Sequence, residues 1–137
     1  MQVLALDVGD RTVGIAASDA LMFTAQGIET IRRTSLQNDL NRLRELMKQY
    51  ETDTLVVGLP KNMDGTQGER CDIVRAFVEE IKKFIVGTKI IFWDERLSTV
   101  AAAKSLIAAD VSRAKRKKVI DKMAAVFILQ GYLDSRA

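Results

Sequence analysis

The chain has 137 residues, with 21 Lys plus Arg against 18 Asp plus Glu for a net charge of +3, and it holds one Cys, one Pro and no His. Without histidine, Ser-His-Asp and Cys-His nucleophiles, His-containing zinc sites and imidazole acid–base chemistry are excluded, and a lone Cys71 permits neither an internal disulfide nor a thiolate cluster. A chain of this length supports one core, so one domain over 1–137 is expected. Any catalysis must then rest on carboxylates, Lys, Arg, Tyr, hydroxyls, the thiol or a cofactor.

The first residues, MQVLALDVGD, lack a basic leader, and Asp7 interrupts the early apolar run. No stretch reaches the roughly 18 apolar residues that span a bilayer, so a soluble, cytoplasmic protein with no membrane partner is expected. Gln2 to Val8 and Val13 to Ser18 read as a hairpin turning at Gly9 to Thr12, and Gly27 to Arg32 completes a three-stranded meander. Thr34 and Gln37 fit a capping box, and Leu36, Leu40, Leu43, Leu46, Met47 and Tyr50 recur on one face of the helix that follows. Thr54 to Leu59, stopped by Pro60, suits a buried strand parallel to the first.

The loop Lys61 to Gly68 carries an Asp64-Gly65 turn signal, and Val74, Phe77, Val78, Ile81, Phe84 and Ile85 mark a second helix closing near Gly87. Lys89 to Trp93 forms a fifth strand ending in Asp94-Glu95, and Ser98 caps a third helix running to about Ala109. A basic segment follows, and a last helix spans about Val119 to Leu133. This order predicts an α/β fold: a five-stranded mixed sheet, an antiparallel meander then two parallel strands, flanked by helices. Ligands of such sheets gather at the carboxyl ends of the parallel strands.

Three acids converge on that edge if the topology holds: Asp7 at the end of the first strand, Glu95 beyond the fifth, and Asp121 early in the last helix. Ala124 and Ala125, three and four positions after Asp121, would let that helix pack closely on the sheet. Like charges held together need a cation, and an all-oxygen donor set without His or Cys selects Mg²⁺ or Mn²⁺. Two such ions about 3.5–4 Å apart can activate water for phosphodiester hydrolysis. Two of these acids also have a bland role: Asp121 complementing a helix N-terminus, Glu95 pairing on the surface. Asp7 is harder to explain away, because an acid within a central apolar strand is costly to bury without a partner.

Arg113, Lys115, Arg116, Lys117 and Lys118 place five positive charges within six residues, which suits phosphate-backbone binding or, equally, a solvated helix end. Arg96 can meet a scissile phosphate or pair with Asp94 or Asp10. Trp93 suits the core better than base stacking, Cys71 suits inert packing, and Asn62 and Asp64 lie in a loop near the proposed site. Asp7-Val8-Gly9 also resembles a phosphate loop of actin-like ATPases, but that fold needs two such domains.

The blocks LALDVGDRTVGIAASD at 4–19, VVGLPKNMDGTQGE at 56–69, WDERLSTVAA at 93–102 and IDKMAAVFILQGYL at 120–133 together resemble the signatures of the YqgF (RuvX) family. That family has a ribonuclease H-like fold and is related to the RuvC Holliday-junction resolvases. The resemblance spans essentially the whole chain and implies a three-layer, metal-dependent nuclease that processes the 5′ end of pre-16S ribosomal RNA. Carried over by motif, Asp7, Glu95 and Asp121 are the metal-holding acids, for which the donor set selects Mg²⁺ or Mn²⁺, and the basic segment lies where the family has one; Arg96, Arg113, Lys115, Arg116, Lys117 and Lys118 are the candidate nucleic-acid contacts. Many ribonuclease H-like relatives carry an acid at the end of the fourth strand, where this chain reads Gly58-Leu59-Pro60, leaving Asp94 and Asp64 as reserve candidates for the second acid. The alternatives are a resolvase-like DNase acting on branched DNA and a non-catalytic factor that binds structured RNA during ribosome assembly. Monomer and dimer are both open.

Overall fold

The computed structural model describes residues 2–62, 64–97 and 113–136, with only the backbone described at 97 and 113–122. The elements in chain order are β1 (Leu4–Val8), β2 (Thr12–Ser18), β3 (Ala25–Arg32), α1 (Leu36–Gln49), β4 (Thr54–Leu59), α2 (Glu69–Phe84), β5 (Lys89–Asp94), a 3₁₀ turn (Glu95–Leu97) and α3 (Arg113–Ser135). The expected helix from Ser98 to about Ala109 lies outside the described residues.

The strands form one five-stranded sheet in the order β3-β2-β1-β4-β5. The meander pairs antiparallel, whereas β4 lies parallel to β1 and β5 parallel to β4. Period-two alternation sends neighbouring residues to opposite faces. Leu4, Leu6, Val8, Val13, Ile15, Leu55, Val57 and Leu59 meet α1 and α2 in one core. Val3, Ala5, Ala16 and Val56 meet α3 in the other, through Ala124, Ala125, Ile128 and Leu129. Helices thus cover both faces, giving the three layers expected from the order of elements.

Small residues on both sides of the α3 interface bring that helix close to the sheet. Ala124 and Ala125 are fully buried. Trp93 lies under Gly131, where a Cβ would stand 3.2 Å from its Cζ2. The Trp93 ring meets Tyr132 edge-on at 6.4 Å, and its buried Nε1 has no hydrogen-bond partner among the described residues. Trp93 is therefore a packing residue. Cys71 is likewise fully buried among the α2 core residues.

Two boundaries differ from the sequence expectation. The cap of α1 is Ser35, in an extended conformation, whose hydroxyl accepts from Asn38 N at 3.2 Å. Thr34 lies one residue further out, where its N–H donates to the buried Asp39 carboxylate and its hydroxyl accepts from Asn38 Nδ2. The last helix also includes Arg113 to Lys118 ahead of the expected start at Val119. Lys, Arg and Ala are good helix formers with no intervening Gly or Pro, so the charge run continues the helix instead of preceding it. Among the described residues no helix is long and apolar enough to cross a membrane.

Candidate functional site

Asp7 follows Val3 and Ala5 on the sheet face covered by α3, and it is half-buried. Its antiparallel partner on β2 is Gly14. On its other side the register runs Ala5↔Val56 and Leu6↔Val57, so the next position on β4 is Gly58. The carboxylate therefore stands between two glycine positions near the carboxyl end of β1, where no neighbouring Cβ crowds it.

Gly58 pairs in turn with Trp93 on β5. The turn after β5 brings Glu95 back across this row. Its Oε2 lies 3.1 Å from the place a Cβ on Gly58 would occupy, and the residue is 9% exposed. The missing side chain at the end of β4 is thus replaced in space by a carboxylate from beyond β5. Adjacent strands lie about 4.8 Å apart, which makes Glu95 the neighbour of Asp7 on the α3 face.

The third acid belongs to the helix that covers this face. Asp121 lies in α3 one turn before Ala124 and Ala125, both packed on the sheet. Helical periodicity places positions 121, 124, 125 and 128 on one stripe. The side chain of Asp121 lies outside the described residues, as do those of Arg113, Lys115, Arg116, Lys117 and Lys118. Among the described residues no group of three metal-ligating side chains occurs. The described pair, Asp7 and Glu95, offers oxygen donors only, which fits a hard divalent cation.

Asp94 and Asp64 are engaged elsewhere. The Arg96 guanidinium forks onto Asp94, with Nη2–Oδ2 at 2.7 Å and Nε–Oδ1 at 3.1 Å, and the Arg96 N–H donates to the same carboxylate. This holds the Asp94 carboxyl below the usual carboxylate range and pushes the Arg96 guanidinium up. Asp64 accepts from the Thr66 hydroxyl at 2.6 Å and the Thr66 N–H at 3.0 Å, which also lowers its pKa. Asn62 closes the same loop by donating to Thr66 Oγ1. Arg96 lies over Gly65, which has φ +90° and whose Cβ would stand 3.4 Å from Nη1. Arg96 thus lies between the end of β5 and the loop after β4, and its pair with Asp94 is one of the two ion pairs weighed for it in the sequence.

Two cations escaped the sequence reading. Arg11 is exposed in the β1–β2 turn, and Lys61 follows β4 close enough to Asp94 to help lower its pKa. The available signal was position alone: each stands just after a strand whose end faces the site.

The chain matches the family model described as RuvX, Holliday junction resolvase, over residues 1–135. Proteins carrying the name "Putative pre-16S rRNA nuclease" are similar to it along its length. That from Desulforamulus reducens is 58% identical, covering 100% of this chain and 99% of its own. That from Clostridium tetani is 54% identical, covering 98% and 97%. Among solved structures, Thermus thermophilus RuvC bound to a Holliday junction superposes with a TM-score of 0.63 at 14% identity, covering 99% of this chain and 95% of that one. The fowlpox virus Holliday junction resolvase gives 0.57 at 18% identity, with 100% of both chains covered. These distant structures share the fold, a ribonuclease H-like sheet between helices. The full-length match and the close relatives show that the chain belongs to the RuvX family.

Proposed function

We propose that this protein is a divalent-metal-dependent nuclease that hydrolyses phosphodiester bonds at the carboxyl edge of β1, β4 and β5, with pre-16S ribosomal RNA as its substrate. Membership of a resolvase family and relatives named as pre-16S rRNA nucleases support the reaction class and the substrate. One observation carries the site: the Glu95 carboxylate lies over Gly58, in the row that contains Asp7.

In this reading Asp7, Glu95 and Asp121 hold Mg²⁺ or Mn²⁺. The bound metal would supply an activated water and stabilise the leaving oxygen. The chain's own contribution is placement. Asp7 is set by its strand, Glu95 by the Asp94–Arg96 turn beside it, and Asp121 by the close approach of α3 through Ala124 and Ala125. Asp94 and Asp64 are less suited as ligands because their oxygens already accept from Arg96 and Thr66.

Arg113, Lys115, Arg116, Lys117 and Lys118 would hold the phosphate backbone from α3, with Arg96 beside the cut. Five neighbouring cations repel one another along one helix segment, and a polyanion relieves that repulsion. Replacing all five by Gln is expected to weaken RNA binding and flatten the slope of log K against log salt by up to about 0.7 per lost phosphate contact. An unchanged slope would remove the segment from the interface.

The test of the function is cleavage of end-labelled precursor ribosomal RNA and of a four-way DNA junction, each with Mn²⁺, Mg²⁺ or EDTA. Metal-dependent cutting of the RNA is the expected result. Cutting confined to the junction would assign a DNase, and metal-independent RNA binding without any cut would assign a binding factor.

A further inference from the structure

The β1–β2 turn that follows Asp7 is a two-residue loop, with Gly9 N donating to Thr12 O at 2.8 Å across Asp10 and Arg11. Tight hairpins favour turns with positive φ because these match the strand twist, whereas other turns splay the strands. Neither Asp10 nor Arg11 is among the residues with positive φ. Arg33 ties this loop at two points, through its backbone as the next bond of the β2–β3 ladder and through its side chain. The Arg33 N–H donates to Arg11 O at 2.9 Å, and Arg33 Nη1 donates to Gly9 O at 2.7 Å.

Arg33 is itself fixed from two helices. Its Nε faces Asp39 Oδ2 of α1 at 3.4 Å, and its guanidinium stacks on Phe77 of α2 at 4.8 Å from the ring centroid. Asp39 is only 2% exposed, a charge buried for this contact and for the Thr34 N–H. A buried pair of this kind contributes little net stability over apolar substitutes, so its value here is where it points the guanidinium.

We propose that Arg33 is a positioning residue: it clamps the Gly9–Thr12 turn from behind the sheet and so holds Asp7, two residues earlier, in its place at the site. The proposal rests on the nuclease reading for its consequence but not for its geometry. Changing a residue that orients a metal ligand costs about 10–100-fold in metal affinity or activity.

The test compares wild type with the double variant Arg33→Met/Asp39→Leu, which removes the buried Asp39 carboxylate together with its partly exposed partner and so leaves neither charge unpaired. A melting temperature near wild type, Mn²⁺ affinity measured by electron paramagnetic resonance reduced about 10–100-fold, and a lower kcat with little change in KM are expected. Wild-type Mn²⁺ affinity and kcat in the folded double variant would overturn the proposal. A second variant, Arg33→Lys, keeps the charge beside Asp39 but loses the forked reach to Gly9. Amide exchange at Gly9 should quicken in it while the α1 core amides stay protected, and unchanged exchange there would also overturn the clamp. Wild-type protein that neither binds Mn²⁺ nor cuts RNA would sink the nuclease reading while leaving the exchange test of the clamp intact.

Discussion

Asp7→Asn is expected to yield a folded protein that binds nucleic acid and no longer cuts it. The substitution conserves shape, so the hydrogen-bonded register with Gly14 and the packing of α3 over Ala5 survive. What disappears is a negative charge one strand away from the buried Glu95. On the proposed function, catalysis also loses a metal ligand. Removing a single electrostatic stabiliser from a working site costs about 10²–10³-fold in rate, and losing a ligand to the metal should cost at least that much. The measurements are the cleavage rate on labelled precursor RNA, the binding constant on the same RNA, and the melting temperature. Binding near wild type with cleavage lost is the expected pattern. Wild-type cleavage by Asp7→Asn would mean that chemistry does not occur at the end of β1.

Gly58→Ala tests the unusual part of the site. A Cβ there would collide with Ile128 Cδ1 and stand 3.0 Å from Ile128 Cγ1, and it would reach 3.1 Å from Glu95 Oε2. Ile128 is fully buried between α3 and the sheet, so its side chain must turn, the helix must shift or the carboxylate must leave. Overpacking of this kind typically costs 1–3 kcal/mol, read as a lower urea midpoint. Cleavage should fall well beyond what the lost stability explains, because a misplacement of about 1 Å at a reacting centre can cost 10²-fold. Gly131→Ala is the matching control, since the nearest atoms to its Cβ would be those of the Trp93 ring, from 3.2 Å. Alanine there also gains about 1 kcal/mol of helix propensity, which offsets the crowding. Equal activity in the two variants would show that cleavage does not depend on Glu95 lying over β4.

The order of strands and helices was legible in the sequence because each element carries its own period. Alternation in Leu4–Val8, the helical stripe from Leu36 to Met47, and the short apolar run ended by Pro60 are local patterns that burial enforces. Asp7 was legible for the same reason, as a charge that breaks an apolar strand. Helix ends were less so. Thr34 and Ser35 are both good caps by residue type, and only the structure shows that the Ser35 hydroxyl takes Asn38 N. The reach of α3 back to Arg113 escaped a pattern reading because charge and helix propensity point in opposite directions there.

The sequence by itself determined the three-layer fold, the family and the three candidate acids, since these follow from local periodicity and from signature blocks spread along the chain. Only the tertiary structure decided how an acid from beyond β5 stands over β4. That answer depends on the pairing of Gly58 with Trp93 and on the turn that Arg96 and Asp94 close. It also decided the role of Arg33, whose contacts reach the turn after β1, helix α1 and helix α2 at once. Contacts between residues distant in sequence leave no period behind them, so folding alone brings the glycine, the carboxylate and the clamp together.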